Sequence, residues 1–354
     1  MKFLIAFGTR PEWIKLKPVM DMFDKNDIPY KTLFSGQHVD LLPKSVIEAT
    51  DMRLNIGDGT NRLDSIVGSV MLNSGMWDGK ITHVMIQGDT TSAFAIALAA
   101  FHRKLKVVHL EAGLRTYDIF DPYPEEFNRQ AIARLTSIHL CPTETAKQNL
   151  LQEKVSGDIY VVGNTVLDNL KNVTTEYTNK ILVTMHRREN HDIIYKWFTE
   201  IDRLAEENPS LEFILPMHPN PNVQLHKKIL KHVNVVAPMP HGDFIDLVAK
   251  SRFVITDSGG LQEESSFFNK KCIICRKTTE RTEGLGTFAV KSPTPEHLSD
   301  LFKKINSDHI PTGECPYGDG KAAAKILNVV KMENVKEQMA LNPEKYLRIS
   351  KDEI

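Results

Sequence analysis

Cysteine is scarce in this sequence: 354 residues hold four, at Cys141, Cys272, Cys275 and Cys315. No second pair accompanies Cys272-Ile273-Ile274-Cys275, which excludes a four-cysteine zinc module. That stretch is apolar and strand-like, so residues three apart point to opposite faces and read as reduced core thiols. Long hydrophobic runs are missing too. No stretch approaches the roughly 20 apolar residues of a membrane helix. The opening run, Met1-Lys2-Phe3-Leu4-Ile5-Ala6-Phe7, is too short for a signal segment and stops at Gly8-Thr9-Arg10-Pro11; it reads as a buried strand, with the cytoplasm as the expected compartment. Charge of one sign is lacking as well: Lys+Arg 44 against Asp+Glu 45 leaves a net charge of -1. No global field then draws nucleic acid or an anionic membrane, and any anion site must be local. Neither half carries GxGxxG after its first strand, so nicotinamide-dinucleotide binding is not supported.

What is present is an alternation of short apolar runs with segments of helical period, the mark of βα units and parallel sheets. The chain is long enough for two cores. Strands are expected at 2–6, 30–35, 83–87, 107–110, 138–141 and 159–162, and in the second half at 181–185, 211–215, 233–236, 253–256 and 271–274. Pro11 opens a helix, Thr90 starts an apolar one over 93–100, and Thr143 caps one running to 151. Second-half helices are expected at 192–208, 222–231, 243–250 and 261–268. The polar stretch 172–179 reads as a linker. The expected domains are therefore 1–172, with the acid/base carboxylates, and 180–330, with the nucleotide site; 331–354 forms a tail able to pack back on the first domain.

In open parallel sheets ligands bind beyond the carboxyl ends of strands, so the polar residues there are the ones to read. Gly8-Thr9-Arg10-Pro11-Glu12, with Lys15 one turn later, follows the first strand. Gln87-Gly88-Asp89-Thr90-Thr91 and Glu111-Ala112-Gly113-Leu114-Arg115 follow two others, and Pro124-Glu125-Glu126 with Arg129 comes next. Each has a plain explanation as a turn, a cap or a first-turn acid. Together they supply carboxylates from several directions, as acid/base chemistry on both faces of a ring requires. In the second half, His186-Arg187-Arg188 and His218-Pro219-Asn220-Pro221 follow strands without the spacing of a zinc site. Asp257-Ser258-Gly259-Gly260-Leu261-Gln262-Glu263-Glu264 is a strand, small-residue turn and helix start, where backbone N–H groups can face a phosphate. A bulky side chain at Gly259 is expected to block that approach.

These segments, together with Gly163-Asn164-Thr165, His186-Arg187-Arg188-Glu189-Asn190, Thr279-Glu280-Arg281 and Pro316-Tyr317-Gly318-Asp319-Gly320, resemble in order the non-hydrolysing UDP-N-acetylglucosamine 2-epimerases over nearly the whole chain. The resemblance implies a glycosyltransferase-B-like fold, α/β with two Rossmann-like domains whose parallel sheets face each other across a cleft, and inversion at C2 of a UDP-N-acetylhexosamine. It implies acid/base roles for Asp89, Glu111 and Glu125, and counts His186 among the catalytic residues. Ser258, Gly259 and Gly260 would hold the diphosphate with Arg10 and His186, Glu264 the ribose, and the backbone near Phe244 the uracil. Lys15, Arg129 and Arg281 would line the substrate site. Neither metal nor cofactor is implied. A homodimer is, with a second UDP-N-acetylglucosamine as activator near Gln37, Arg187 and His218, and a place in polysaccharide biosynthesis. The chain departs from the family pattern at Thr282, where proline is usual, and at His191-Asp192, where an aromatic-glycine pair is usual.

Overall fold

A computed structural model describes residues 1–39, 42–57 and 59–341. Two compact units divide the chain, the first made of Met1–Asp168 with Lys321–Ile354 and the second of Asn169–Gly320. Both are parallel sheets with helices between the strands.

Among the described residues the first unit has seven strands, β1 Phe3–Phe7, β2 Tyr30–Phe34, β3 Met52–Arg53, β4 His83–Gln87, β5 Lys106–Leu110, β6 Ile138–Cys141 and β7 Asp158–Val161, in the order β3-β2-β1-β4-β5-β6-β7. The apolar run of β1 is explained by burial on both faces. Phe3, Ile5 and Phe7 enter one core with Leu16, Val19 and Phe23, while Leu4 and Ala6 enter another with Val84, Ile86 and Ile96. A strand covered on both sides reads as a continuous hydrophobic stretch. Thr90 caps the Thr91–His102 helix by accepting the N–H of Ala93 at 3.0 Å. That helix buries alanines nearly all round, which lets neighbouring helices approach closely.

The second unit has six strands, β8 Lys180–Thr184, β9 Glu212–Pro216, β10 Asn234–Val236, β11 Phe253–Thr256, β12 Cys272–Ile274 and β13 Ala289–Lys291, in the order β10-β9-β8-β11-β12-β13. Its core gathers Ile181, Val183, Trp197, Phe198, Phe213, Phe253, Ile255 and Phe302. Both units share the strand order of a Rossmann sheet, with a switch point between the first strand and the fourth. These points fall between β1 and β4 and between β8 and β11.

Several expectations need correction. The boundary expected at 330 falls inside one helix, Ala322–Leu341, and the units divide at Gly320 instead. That helix packs on the first unit, with Ala323, Ile326, Val329 and Val330 in the β1 core and Tyr160 donating to Glu333 at 2.6 Å. The apolar stripe outweighs its polar surroundings in sequence. Of the expected tail, 342–354 lies outside the described residues. The helix expected at 222–231 breaks into Pro221–Gln224 and a 3₁₀ turn at Lys227–Ile229. Its end is captured by Asp202, which accepts the N–H of Lys231 at 2.6 Å and of His232 at 2.7 Å. The helices Arg62–Asn73 and Leu298–Ser307 and the short strands β3 and β13 lie outside the sequence-based assignment. All four cysteines are free, and burial pushes the Cys272 thiol up to about 12. No helix among the described residues is long and apolar enough to cross a membrane.

Candidate active site

At the first switch point the chain leaves β1 through Gly8 and Thr9 into the Arg10–Asp24 helix. Glu12, fully buried in the first turn, ties this bend together. It accepts the N–H of Gly8 at 2.8 Å and of Thr9 at 2.6 Å, and the hydroxyl of Thr90 at 2.6 Å. Burial raises its carboxyl above the usual range, against the pull of those hydrogen bonds. Gly8 is required by space: a Cβ there would lie 2.3 Å from Ser35 Oγ and 2.5 Å from Ser92 Oγ. Arg10 is half-buried at the helix start.

Asp89 and Glu111 follow the adjacent strands β4 and β5. The two ends are stitched by the N–H of Gly88, which donates to Leu110 O at 2.9 Å, and by His109 Nε2, 2.7 Å from Gly88 O. Burial pushes His109 down to about 3, so it is neutral here and donates to that carbonyl. Glu111 has a φ of 67°, in the left-handed region, and its side chain is almost wholly buried. A non-glycine residue held there is strained and needs its surroundings to fix it. Its Oε2 accepts from both Lys15 Nζ and Gln87 Nε2. Asp89 Oδ2 lies 2.5 Å from Arg129 Nη2, and its backbone carbonyl accepts from Asn128 Nδ2 at 2.8 Å.

Asn128 and Arg129 belong to the Glu125–Leu135 helix, so this helix docks onto Asp89 and sets Glu125, half-buried in its first turn, in place. Glu126 faces inward, accepting from Arg129 Nη1 at 3.0 Å and from the N–H groups of Thr116 at 3.0 Å and Tyr117 at 3.1 Å. Arg115 is likewise structural, gripping Glu153 through Nε at 2.6 Å and Nη2 at 2.9 Å.

At the second switch point the acid is Asp257, with no exposure. It accepts the N–H of His186 at 3.0 Å, the N–H of Arg187 at 2.9 Å and the amide of Asn190 at 3.0 Å, fixing the loop after β8 against the end of β11. His186 stacks on His218 with centroids 5.1 Å apart and planes 19° off parallel. Burial lowers His186 below its ordinary value, against the pull of Asp257; His218, partly desolvated by the ring stacked on it, is lowered as well. His191 Nε2 lies 3.2 Å from His186 O and its Nδ1 lies 3.3 Å from Asn222 Nδ2, so it joins the loops after β8 and β9.

The turn after β11 opens the Gly259–Phe267 helix. Ser258 N–H is already engaged by Thr256 Oγ1 at 2.9 Å, leaving the Ser258 hydroxyl and the unpaired first-turn N–H groups of the helix for a ligand. The two glycines differ in what lies beside them. A Cβ on Gly259 would meet Arg281 Nη1 at 2.7 Å and Glu280 Oε1 at 3.0 Å, whereas one on Gly260 meets open space. Gly259 therefore faces the protein, and Gly260 is where backbone can be approached. Arg281 is correspondingly buried, its Nε 2.5 Å from Glu263 Oε1 and its Nη1 bound to Glu280, so it backs the turn rather than lining an open surface. Glu264 is buried one turn along. Near Phe244, the N–H of that residue donates to Pro240 O at 3.0 Å, within the first turn of the His241–Ala249 helix.

Among the described residues no cluster of three histidine, cysteine or acidic side chains could hold a metal. The residues that sequence reasoning passed over are Gln87, Glu12, Asn128, Glu263 and Glu280. All lie inside or beside the motifs, but Gln87, Glu12, Asn128 and Glu263 each have a partner at least 18 residues away, at Glu111, Thr90, Asp89 and Arg281, and nothing local announces those contacts.

The family model described as UDP-N-acetylglucosamine 2-epimerase matches residues 21–331. A UDP-N-acetylglucosamine 2-epimerase of Campylobacter jejuni is 36% identical over 372 residues, covering 93% of this chain and 97% of the relative. One from Bacillus subtilis is 36% identical, covering 92% and 94%. A crystal structure of UDP-GlcNAc 2-epimerase from Neisseria meningitidis bound to UDP-GlcNAc superposes with a TM-score of 0.84 at 34% identity, covering 94% of this chain and all of that one. Both units are of Rossmann type, as the glycosyltransferase-B-like class requires. With these relatives spanning both units and both switch points, the chain belongs to the UDP-N-acetylglucosamine 2-epimerase family.

Proposed function

We propose that this chain inverts C2 of UDP-N-acetylglucosamine, giving UDP-N-acetylmannosamine, by eliminating UDP and adding it back. The observation that carries the reading is the pair Asp89 and Glu111 at the ends of adjacent strands, each held by a cation, with Glu125 on the helix docked to Asp89. The proton on C2 is not beside a carbonyl, so a carboxylate removes it only once the C1–O bond is weakened. UDP therefore departs first or early. The Ser258 hydroxyl, the N–H groups at Gly259 and Gly260 and the helix end behind them would hold the departing diphosphate, with Arg10 and His186; such preorganised donors contribute several kcal/mol, roughly 3 for each one aimed at developing charge. Loss of the proton to a carboxylate gives a 2-acetamidoglucal. A different acid returns a proton to the other face of C2, and UDP adds back at C1.

Glu264 would accept from ribose hydroxyls, and the backbone near Phe244, at the start of the His241–Ala249 helix, would face the uracil. Lys15 and Arg129 serve through the carboxylates they hold, and Arg281 through the turn it backs. Arg187 and His218, with Gln37, are assigned to a second UDP-N-acetylglucosamine acting as activator. The active form is a homodimer in the cytoplasm, where reduced thiols such as Cys272 persist, and its product supplies polysaccharide assembly. Proton NMR of the protein with UDP-N-acetylglucosamine in deuterium oxide tests the reaction. UDP-N-acetylmannosamine carrying deuterium at C2 is expected. Free N-acetylmannosamine and UDP as main products would replace epimerisation with hydrolysis, and product without deuterium would overturn the carboxylate route.

A further inference from the structure

We infer that Gln87 is a positioning residue for the proton transfer, acting through Glu111. The inference rests on the reading that Glu111 exchanges the C2 proton. Gln87 is the last residue of β4, buried, and its amide Nε2 donates to Glu111 Oε2, the same oxygen that Lys15 Nζ reaches. Two donors from different elements, one a strand end and one the Arg10–Asp24 helix, fix a single carboxylate oxygen in two directions. A lysine alone cannot do this. Its ammonium is a compact charge on a flexible stem, and a carboxylate can swing around it without losing much attraction. The amide adds direction, because its N–H must point at the oxygen.

The need for such a brace follows from the backbone. Glu111 sits at a φ of 67° immediately after β5, a conformation other residue types adopt at lower cost, so its side chain is aimed by strained main chain that its surroundings must hold in place. Gln87 is itself rigid. It pairs with Leu110 in the β4–β5 register, and the next residue is bonded to the same strand by the Gly88 N–H and by His109. The amide and the carboxylate are thus carried by two strand ends that cannot slide. With the Gln87 donor in place, Oε2 is committed to the protein and the carboxylate plane is set. Without it the group keeps its charge partner and loses its orientation, and misplacement of a reacting group by about 1 Å can lower a rate on the order of 10²-fold.

The test uses the full-length enzyme with Gln87→Met, Gln87→Glu and Gln87→His, and Glu111→Gln as the reference. Gln87→Met is close in length and shape and removes both polar atoms. It should lower kcat about 10²-fold, with deuterium uptake at C2 falling in step, while KM, UDP affinity and the melting temperature stay at wild-type values. Gln87→His restores an N–H and should recover most of the rate. Gln87→Glu places a second carboxylate beside Glu111 and should be as slow as the methionine variant; it decides the matter if Gln87→Met fails to fold. Full kcat in Gln87→Met or Gln87→Glu, with Glu111→Gln inactive, overturns the role of Gln87 and leaves the proton-transfer reading standing. Parallel loss of kcat, UDP affinity and melting temperature overturns it too, in favour of a purely structural residue. Full activity of Glu111→Gln overturns the proton-transfer reading itself, and this inference with it.

Discussion

At the ends of β4 and β5 the acids Asp89 and Glu111 are each held at one oxygen by a cation, and Asp89 keeps about a quarter of its side chain exposed. At the end of β11 the acid Asp257 has no exposure, and its oxygens are occupied by two backbone N–H groups and an amide. The two units have the same strand order, and both sets of residues stand at a switch point. What differs is the partner. A carboxylate held by a side-chain cation is positioned and can still exchange a proton; one surrounded by main-chain donors is a structural tie. Behind the turn after β11 two cations are turned inward as well: Arg281 and Arg276 meet Glu263, Glu280 and Glu189. At that turn the groups left for a ligand are the Ser258 hydroxyl and the first N–H groups of the Gly259–Phe267 helix. Sheet topology sets where a ligand can bind, and the pairing of charges sets whether that place handles protons or phosphate.

The comparison breaks most decisively at the carboxylates. Asp89→Asn, Glu111→Gln and Glu125→Gln should each lower turnover on the order of 10²–10⁴-fold with UDP affinity intact. Steady-state rates and UDP calorimetry check this; one amide variant with wild-type turnover removes that residue from the proton path. Asp257→Ala should act in the opposite manner. It strands the N–H groups of His186 and Arg187 and the Asn190 amide, costing about 3 kcal/mol of stability. Its urea midpoint should fall and UDP affinity with it, and an unchanged midpoint would make Asp257 available for chemistry.

The two glycines sharpen the contrast within one turn. Gly259→Ala should destabilise by about 1–3 kcal/mol, because its Cβ overlaps the Arg281 pair. Gly260→Ala should leave stability unchanged or raise it by up to about 1 kcal/mol in a helix, yet weaken UDP binding by filling the approach to the backbone. If both variants lose stability equally, the distinction between a protein-facing and a ligand-facing glycine fails.

The last prediction concerns pH, and at neutral pH its effect is close to nil. His109 is held at about 3 when folded against an ordinary 6.5, so the unfolded chain takes up the proton first. Its contribution to stability is complete above the ordinary value and is lost as pH falls from there toward the folded value. His109→Gln keeps an N–H for Gly88 and cannot titrate in this range. It should make the acid-side loss of stability shallower, by at most about 1.4 kcal/mol per pH unit, in urea midpoints measured across that window. An unchanged slope would mean that His109 is not held neutral.

Much of the architecture was legible in sequence because it is local. The apolar runs of β1, β4, β8 and β11, the Thr90 and Thr143 caps and the small residues 258–260 each declare themselves within a few positions, and ten ordered segments carried the family. Strand order, and with it the two switch points, is not local. Nothing within β1 says that it pairs with β4, 80 residues away, through Phe3 and His83. The same holds for the roles of charged side chains. Glu111, Asp257 and Glu126 look alike as acids after strands or at a helix start, and Gly259 and Gly260 look alike as turn glycines. Which acid meets a cation, which meets backbone, and which glycine has a side chain behind it depend on contacts between segments tens of residues apart. Composition and periodicity fix what a segment can become; only the packing of distant segments decides which of its polar groups are left to act.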